Sequence, residues 1–141
     1  MSDVAGEADP PRSVRWLGRA FPAVAWLFVG CVVVQFFLVG LRFFDVEPWT
    51  QLHRDFAYTY GWLTPILVLL AASPAGSRRA LRLAIALLVL FAVQTFLPLL
   101  AEVAPLIAAV HSVNALVVAW LALRLAQTAS KPPGRAGTSL R

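Results

Sequence analysis

A chain of 141 residues that is 60% hydrophobic and only 13% charged is unlike soluble domains, in which about a quarter of residues carry charge. Its one cysteine, Cys31, excludes an intrachain disulfide and the CxxCH motif of covalently attached haem. The net charge of +5 raises nucleic acid as a partner, but the basic residues are segregated in a way that a bilayer explains and a phosphate backbone does not.

In chain order, residues 1–15 open with "MSDVAGEADPPR", whose polar, Pro- and Gly-bearing composition predicts a disordered tail. Four uncharged windows follow at 20–41, 56–77, 83–101 and 103–123. Each is close to the ~20 residues that cross a hydrocarbon core as a helix. The first is preceded by Arg12, Arg15 and Arg19 like a signal peptide. Its 22 uncharged residues exceed a signal h-region, however, and no small-x-small cleavage site follows at Leu41–Phe44, so it reads as a retained helix. Spans are expected near 18–41, 50–72, 79–99 and 105–126. Together they form a transmembrane domain over 16–127, with a second polar tail at 128–141. The expected fold class is all-α, an integral membrane four-helix bundle.

Ten basic residues (Arg12, Arg15, Arg19, Arg78, Arg79, Arg82, Arg124, Lys131, Arg135 and Arg141) fall before span one, between spans two and three, or at and after the end of span four; only Arg42 and Arg54 lie on the other side. The positive-inside rule then puts both termini in the cytoplasm, with the loops at 42–52 and 102–105 outside. The expected location is the inner (plasma) membrane.

Two segments repeat. "QFFLVGLRFFDVEPWTQLHRDFA" (35–57) and "QTFLPLLAEVAPLIAAVHSVNA" (94–115) each carry a glutamine late in an outbound helix and Phe-Leu two residues on. Each continues with an outer loop holding an acid and a proline, then a histidine early in an inbound helix. Gln35 to His53 is 18 residues and Gln94 to His111 is 17. The chain therefore reads as two parallel helical-hairpin repeats about a pseudo-twofold axis along the membrane normal. This places spans two and four on opposite sides of the axis, with the chain's two histidines facing each other. Proline is common at the first helical position, so Pro48 and Pro105 are expected to start these spans.

His53, Ala57 and Gly61 form one i, i+4, i+8 stripe; His111, Ala115 and Ala119 form another. The plainer reading is close helix packing through small residues, with His and Gln tying helices together at ~1 kcal/mol per hydrogen bond. The sharper reading is a slot for a flat ligand clamped by two imidazoles. Haem b suits it, because iron takes an axial ligand on each face and four-helix bundles house such groups. The metal ligands would be His53 and His111. Gln35 and Gln94 would orient the imidazoles or bond the bound group, Ala57, Gly61 and Ala115 would line the slot, and Arg42 and Arg54 would pair with haem propionates. Against this, Arg42 and Arg54 have Asp45, Glu47 and Asp55 as ready partners. Zinc or copper would want three or four ligands, and the buried segments hold no carboxylate. A proton relay lacks the same companions. Trp16, Trp49 and Trp120 fall near interfaces and read as aromatic belts.

Through "QFFLVGL", "LHRDFAYTYG", "QTFL" and "AAVHSVNALVVAWLALRL", the sequence resembles, over residues 15–127, a family of small four-helix bacterial membrane proteins of unknown function. More distantly it is similar to one half of haem A synthase, a four-helix bundle whose second and fourth helices each give a histidine to haem. That likeness implies axial roles for His53 and His111. The departures are that this chain supplies four helices rather than eight, its outer loop has no cysteine pair, and Thr50 stands where a glutamate is expected. Oxidation of haem O is therefore not implied. Whether the chain is an enzyme is left open. Two function classes remain: a b-type haem protein for electron transfer or haem handling, with a quinone or membrane redox partner, and a cofactor-free module assisting a partner membrane complex. A haem shared in a homodimer is compatible with the first.

Overall fold

A computed structural model describes residues 12–42, 44 and 49–131. Residues 1–11 and 132–141 of the expected tails, with Asp45, Glu47 and Pro48, lie outside the described residues, while 12–15 and 128–129 are helical. The elements are α1 (Arg12–Arg42), α2 (Trp49–Gly61), α3 (Leu63–Ala72), α4 (Arg78–Phe96), a 3-10 turn (Leu97–Leu100) and α5 (Pro105–Ala129). Among the described residues there is no strand. The four spans are α1, α2 with α3, α4 with its 3-10 end, and α5, each long and apolar enough to cross a membrane.

Each helix reaches the core along one seam. On α1 the buried residues are Phe21, Ala25, Phe28 and Val32, spaced by three or four so that they stack on one face, with Leu38 buried further along. α4 buries Ala80, Ala84, Leu87 and Phe91, and α5 buries Asn114, Val118, Leu121, Ala122, Leu125 and Ala126. Only 22% to 28% of the most apolar window of each span is buried. Leu69, Trp62, Leu99, Val113 and Leu116 are more than 60% exposed. Such a surface would aggregate in water and is what hydrocarbon solvates.

α1 packs on α2, α3 and α5, and α4 packs on α3 and α5. Spans two and four are thus diagonal in the bundle, as the repeat predicts. The Arg78, Arg79, Arg82, Arg124 and Lys131 side chains are exposed at the end where α1 begins and α5 finishes. At that end Ser77 caps α4 by accepting from the Ala80 amide at 3.1 Å. Gly76 turns so close to Ala71 that a Cβ would run into its carbonyl. The Trp26 indole donates to Ser130 Oγ at 3.1 Å, clasping α1 to the end of α5.

The hydrogen-bond ladder of span two is interrupted, although Trp62 keeps helical backbone angles (φ −62°, ψ −16°). Pro65 has no amide proton for the Gly61 carbonyl four residues back, and the ladder breaks at Trp62. The freed carbonyl is not wasted: the Thr64 hydroxyl donates to it at 2.8 Å, and Thr64 is only 2% exposed. A hydroxyl one turn on therefore replaces the missing amide, as a bilayer interior requires. Pro105 opens α5 as expected. Span three ends in a tighter 3-10 turn at Leu97–Leu100 containing Pro98.

Candidate functional site

The polar residues at the end opposite the termini continue the apolar seams. Gln35 follows Val32 by three residues on α1, and Gln94 follows Phe91 by three on α4. His111 precedes Asn114 by three on α5. Helical periodicity therefore turns all of them inward.

They meet as two near-identical pairs. In the first hairpin, Gln35 Nε2 donates to the His53 carbonyl at 2.8 Å and lies 3.2 Å from His53 Nε2. In the second, Gln94 Nε2 donates to the His111 carbonyl at 3.0 Å and lies 3.2 Å from His111 Nε2. The two imidazoles face one another across the bundle with ring centroids 6.5 Å apart and planes at 67°.

Donor and acceptor logic then sets the protons. A backbone carbonyl can only accept, so the Gln35 and Gln94 atoms touching the histidine carbonyls are the NH2 groups. Their second protons point to Nε2, which must supply a lone pair. His111 Nδ1 therefore carries the ring proton and donates to the Gln94 carbonyl at 3.0 Å. The same reasoning puts the His53 proton on Nδ1. A neutral imidazole with Nδ1–H bonded to a carbonyl and a lone pair at Nε2 is the form in which histidine ligates metals.

Asn114 has no part in the sequence repeat, yet it completes the second pair. Its amide donates to the Leu90 carbonyl at 2.9 Å and to Gln94 Oε1 at 2.7 Å, and the residue is 8% exposed. Every polar atom of Gln94 is thereby bonded. By the repeat, the place of Asn114, three after the histidine, is held by Phe56 in the first hairpin. Gln35 Oε1 is correspondingly buried and accepts no hydrogen bond from the described residues. An asparagine three residues after one histidine and a phenylalanine after the other was the available signal.

Of the other expected site residues, Ala57 is half-buried against the core and Ala115 half-buried one turn from His111. Gly61 does not line an open slot: a Cβ there would lie 2.7 Å from Phe91 Cε1, so the phenyl ring occupies the space. Phe28, Tyr60 and Phe91 stack edge-to-face with centroids 5.3 to 5.8 Å apart and form an aromatic floor. Arg54 is exposed and paired with Asp55 at 3.1 Å. Arg42 ends α1, and its side chain lies outside the described residues. Among the described residues no three of His, Cys, Asp and Glu cluster as a metal site. A cleft of about 330 Å³ lies on the flank of the bundle beside the interruption in span two, lined by Tyr58, Gly61, Trp62, Thr64, Leu88 and Phe91 among others.

Two metal–imidazole bonds of about 2 Å, with two ring radii added, span on the order of 6 Å, close to the 6.5 Å centroid separation, while each Nε2 lies against the glutamine of its own hairpin. Two nitrogen donors on opposite sides are what haem iron takes and too few for a closed zinc site. The macrocycle would be held by His53 and His111, edged by Ala57 and Ala115, and stopped by the Phe28, Tyr60 and Phe91 floor. To bind iron, each Nε2 must exchange a glutamine N–H for the metal.

Residues 35–102 match the family of unknown function DUF6220. The DUF6220 segment starts at Gln35 and includes His53 and Gln94, while His111 and Asn114 lie beyond it. No curated protein and no solved structure matches the chain. The likeness to haem A synthase thus finds no support among named relatives.

Proposed function

We propose that the chain is a multi-pass protein of the bacterial plasma membrane that binds haem b between His53 and His111 and serves electron transfer or haem handling. Both termini are cytoplasmic in this reading, because the exposed basic residues gather at their end of the bundle. The observation that carries it is the pair of opposed neutral imidazoles 6.5 Å apart on diagonal helices. Haem so held supplies a one-electron carrier, for which a quinone or a membrane redox protein is a suitable partner. The protein's own residues orient the ring nitrogens and exclude water with the aromatic floor. The DUF6220 match neither adds to nor subtracts from this, since that family has no known function.

A second reading has its own observation in favour. The bonds around Gln94, His111 and Asn114 are complete without any ligand, as a cofactor-free helix-tying module assisting a partner complex would need. The visible spectrum of detergent-purified protein separates the two. The haem reading expects a red, low-spin, six-coordinate protein in which His53→Ala or His111→Ala gives high-spin iron or loss of haem. A preparation from haem-replete cells that stays colourless after haem is added back would leave the module reading alone. Reporter fusions at Ser77 and Glu102 should read inside and outside; the reverse would invert the orientation.

A further inference from the structure

Trp62 stands at a depth where the aromatic belts do not reach. It lies eleven residues from Gln51 and ten from Ala72, the ends of span two, so about 15 Å of helix separates it from either end. That is the middle of a hydrocarbon core ~30 Å thick. Tryptophan is enriched instead at the two interfaces, where its indole N–H finds acceptors. Here the residue is 75% exposed, and its Nε1 donates to no described residue. Tyr58, one turn nearer the histidines, is 51% exposed, and its hydroxyl likewise makes no hydrogen bond to a described residue. Both side chains line the cleft on the flank of the bundle. Two donors spaced ~6 Å along one helix face therefore stand at a cleft in hydrocarbon, where an unsatisfied polar group is costly.

The inner wall of the cleft is the Phe91 ring, which lies over Gly61. Phe91 also stacks edge-to-face on Phe28 and Tyr60, so a single ring separates the cleft from the aromatic floor of the histidine site. At about 330 Å³ the space is at the low end for small-molecule sites and suits one ring rather than a whole lipid. An acyl chain offers no acceptor to Trp62 or Tyr58, and phospholipid ester carbonyls lie at the interfaces. A 1,4-quinone has an acceptor oxygen at each end of a flat apolar ring and a tail that stays in hydrocarbon. We propose that this cleft seats the head group of a membrane quinone, with the Tyr58 hydroxyl and the Trp62 indole N–H donating to its carbonyl oxygens and Phe91 against its ring. The seat is a property of the cleft; the use of the quinone as redox partner to a haem at His53 and His111 rests on the haem reading.

The closing experiment titrates decyl-1,4-benzoquinone into the full-length protein in detergent and measures the quinone retained, with empty micelles as the reference for partitioning. Saturable binding is expected. A naphthalene carrying the same decyl tail, which has the apolar ring but no acceptor, should bind about tenfold more weakly. Tyr58→Phe and Trp62→Phe keep a ring and remove a donor. Each should weaken quinone binding by roughly threefold to tenfold, the worth of one hydrogen bond, and leave the naphthalene probe unchanged. Ala92→Trp, at the exposed rim of the cleft, should block both probes. All three positions are exposed, so the variants should keep their helicity by circular dichroism; should one not fold, the other two carry the test.

Quinone uptake no greater than that of empty micelles would overturn the seat and leave the cleft to lipid chains. Equal affinity for the quinone and the naphthalene, or unchanged quinone affinity in a folded variant lacking both donors, would overturn it by making the cleft a general apolar groove. Disulfide-linked dimers of Cys31→Ser, Trp62→Cys protein, with no quinone bound by the unaltered chain, would assign the cleft to a second copy. Haem taken up without any quinone binding would overturn the seat and leave the haem reading standing. Quinone held through Tyr58 and Trp62 by a protein that takes up no haem would overturn the haem reading and leave the seat in place.

Discussion

The two hairpins of this bundle make the same glutamine–histidine pair with different surroundings. In both, a glutamine amide bridges a histidine carbonyl and its own Nε2 within 0.2 Å of the same geometry. In the second hairpin Asn114 saturates the glutamine; in the first, Phe56 stands in its place and packs on Tyr60 with centroids 5.2 Å apart. One hairpin has taken a hydrogen bond where the other has taken an aromatic contact. In this bundle the repeat holds the paired glutamine and histidine more tightly than the residues behind them, where a polar and an apolar side chain both fill the seam.

The sharpest way to break the comparison is to remove the better-bonded glutamine. Gln94→Leu leaves the His111 Nε2 and one Asn114 proton without partners, so unfolding in a denaturing-surfactant titration should lose about 3 kcal/mol. Gln35→Leu removes a less connected amide and should cost about 1.5 kcal/mol, since it also deletes a buried oxygen that accepts nothing. Equal losses would mean that Asn114 contributes nothing to the second pair. Val34→Leu and Val93→Leu, on the exposed sides of the same helices, serve as controls near zero.

The small-residue stripes offer a third test. Gly61 and Ala119 occupy the same place eight residues after each histidine, but only Gly61 is pressed by a ring, with Phe91 Cε1 2.7 Å from where a Cβ would sit. Gly61→Ala should therefore cost about 1 kcal/mol by overpacking despite the gain in helix propensity. A stabilised Gly61→Ala would show that the ring yields freely. The smallest effect belongs to Arg54, whose partner Asp55 is as exposed as it is. Arg54→Gln should change stability by less than about 0.5 kcal/mol, and any larger loss of bound haem would give the guanidinium a ligand to hold.

Much of this arrangement was legible from spacing alone. The uncharged windows mark the four spans because a bilayer sets their length, and the repeated 18- and 17-residue intervals from glutamine to histidine place the pairs at matching levels on adjacent helices. What spacing could not convey was which groups satisfy one another laterally. Asn114 has no polar counterpart in the first hairpin, and one of its acceptors, the Leu90 carbonyl, has no side-chain signature at all. The interruption in span two was signalled by Pro65 with Gly61 four residues before it, yet a hydropathy window is blind to a missing amide proton. The slot expected along Ala57 and Gly61 ends early because a phenyl ring from a third helix enters it, and stripe patterns on two helices say nothing of what a third inserts.

The break at Trp62 turns span two into a lever. With Thr64 carrying the Gly61 carbonyl, a tilt of α2 about Trp62 would leave that carbonyl bonded inside hydrocarbon. The lever's load, His53, sits nine residues from Trp62, about 13.5 Å along the helix axis. A pivot of ten degrees would then carry that imidazole about 2 Å, the length of a metal–nitrogen bond, while His111 on its unbroken helix stays where it is. Gln35 grips the lever by the backbone of its own load, since it holds the His53 carbonyl as well as the ring. The stroke of the arm is therefore limited by how far one glutamine side chain can stretch from α1.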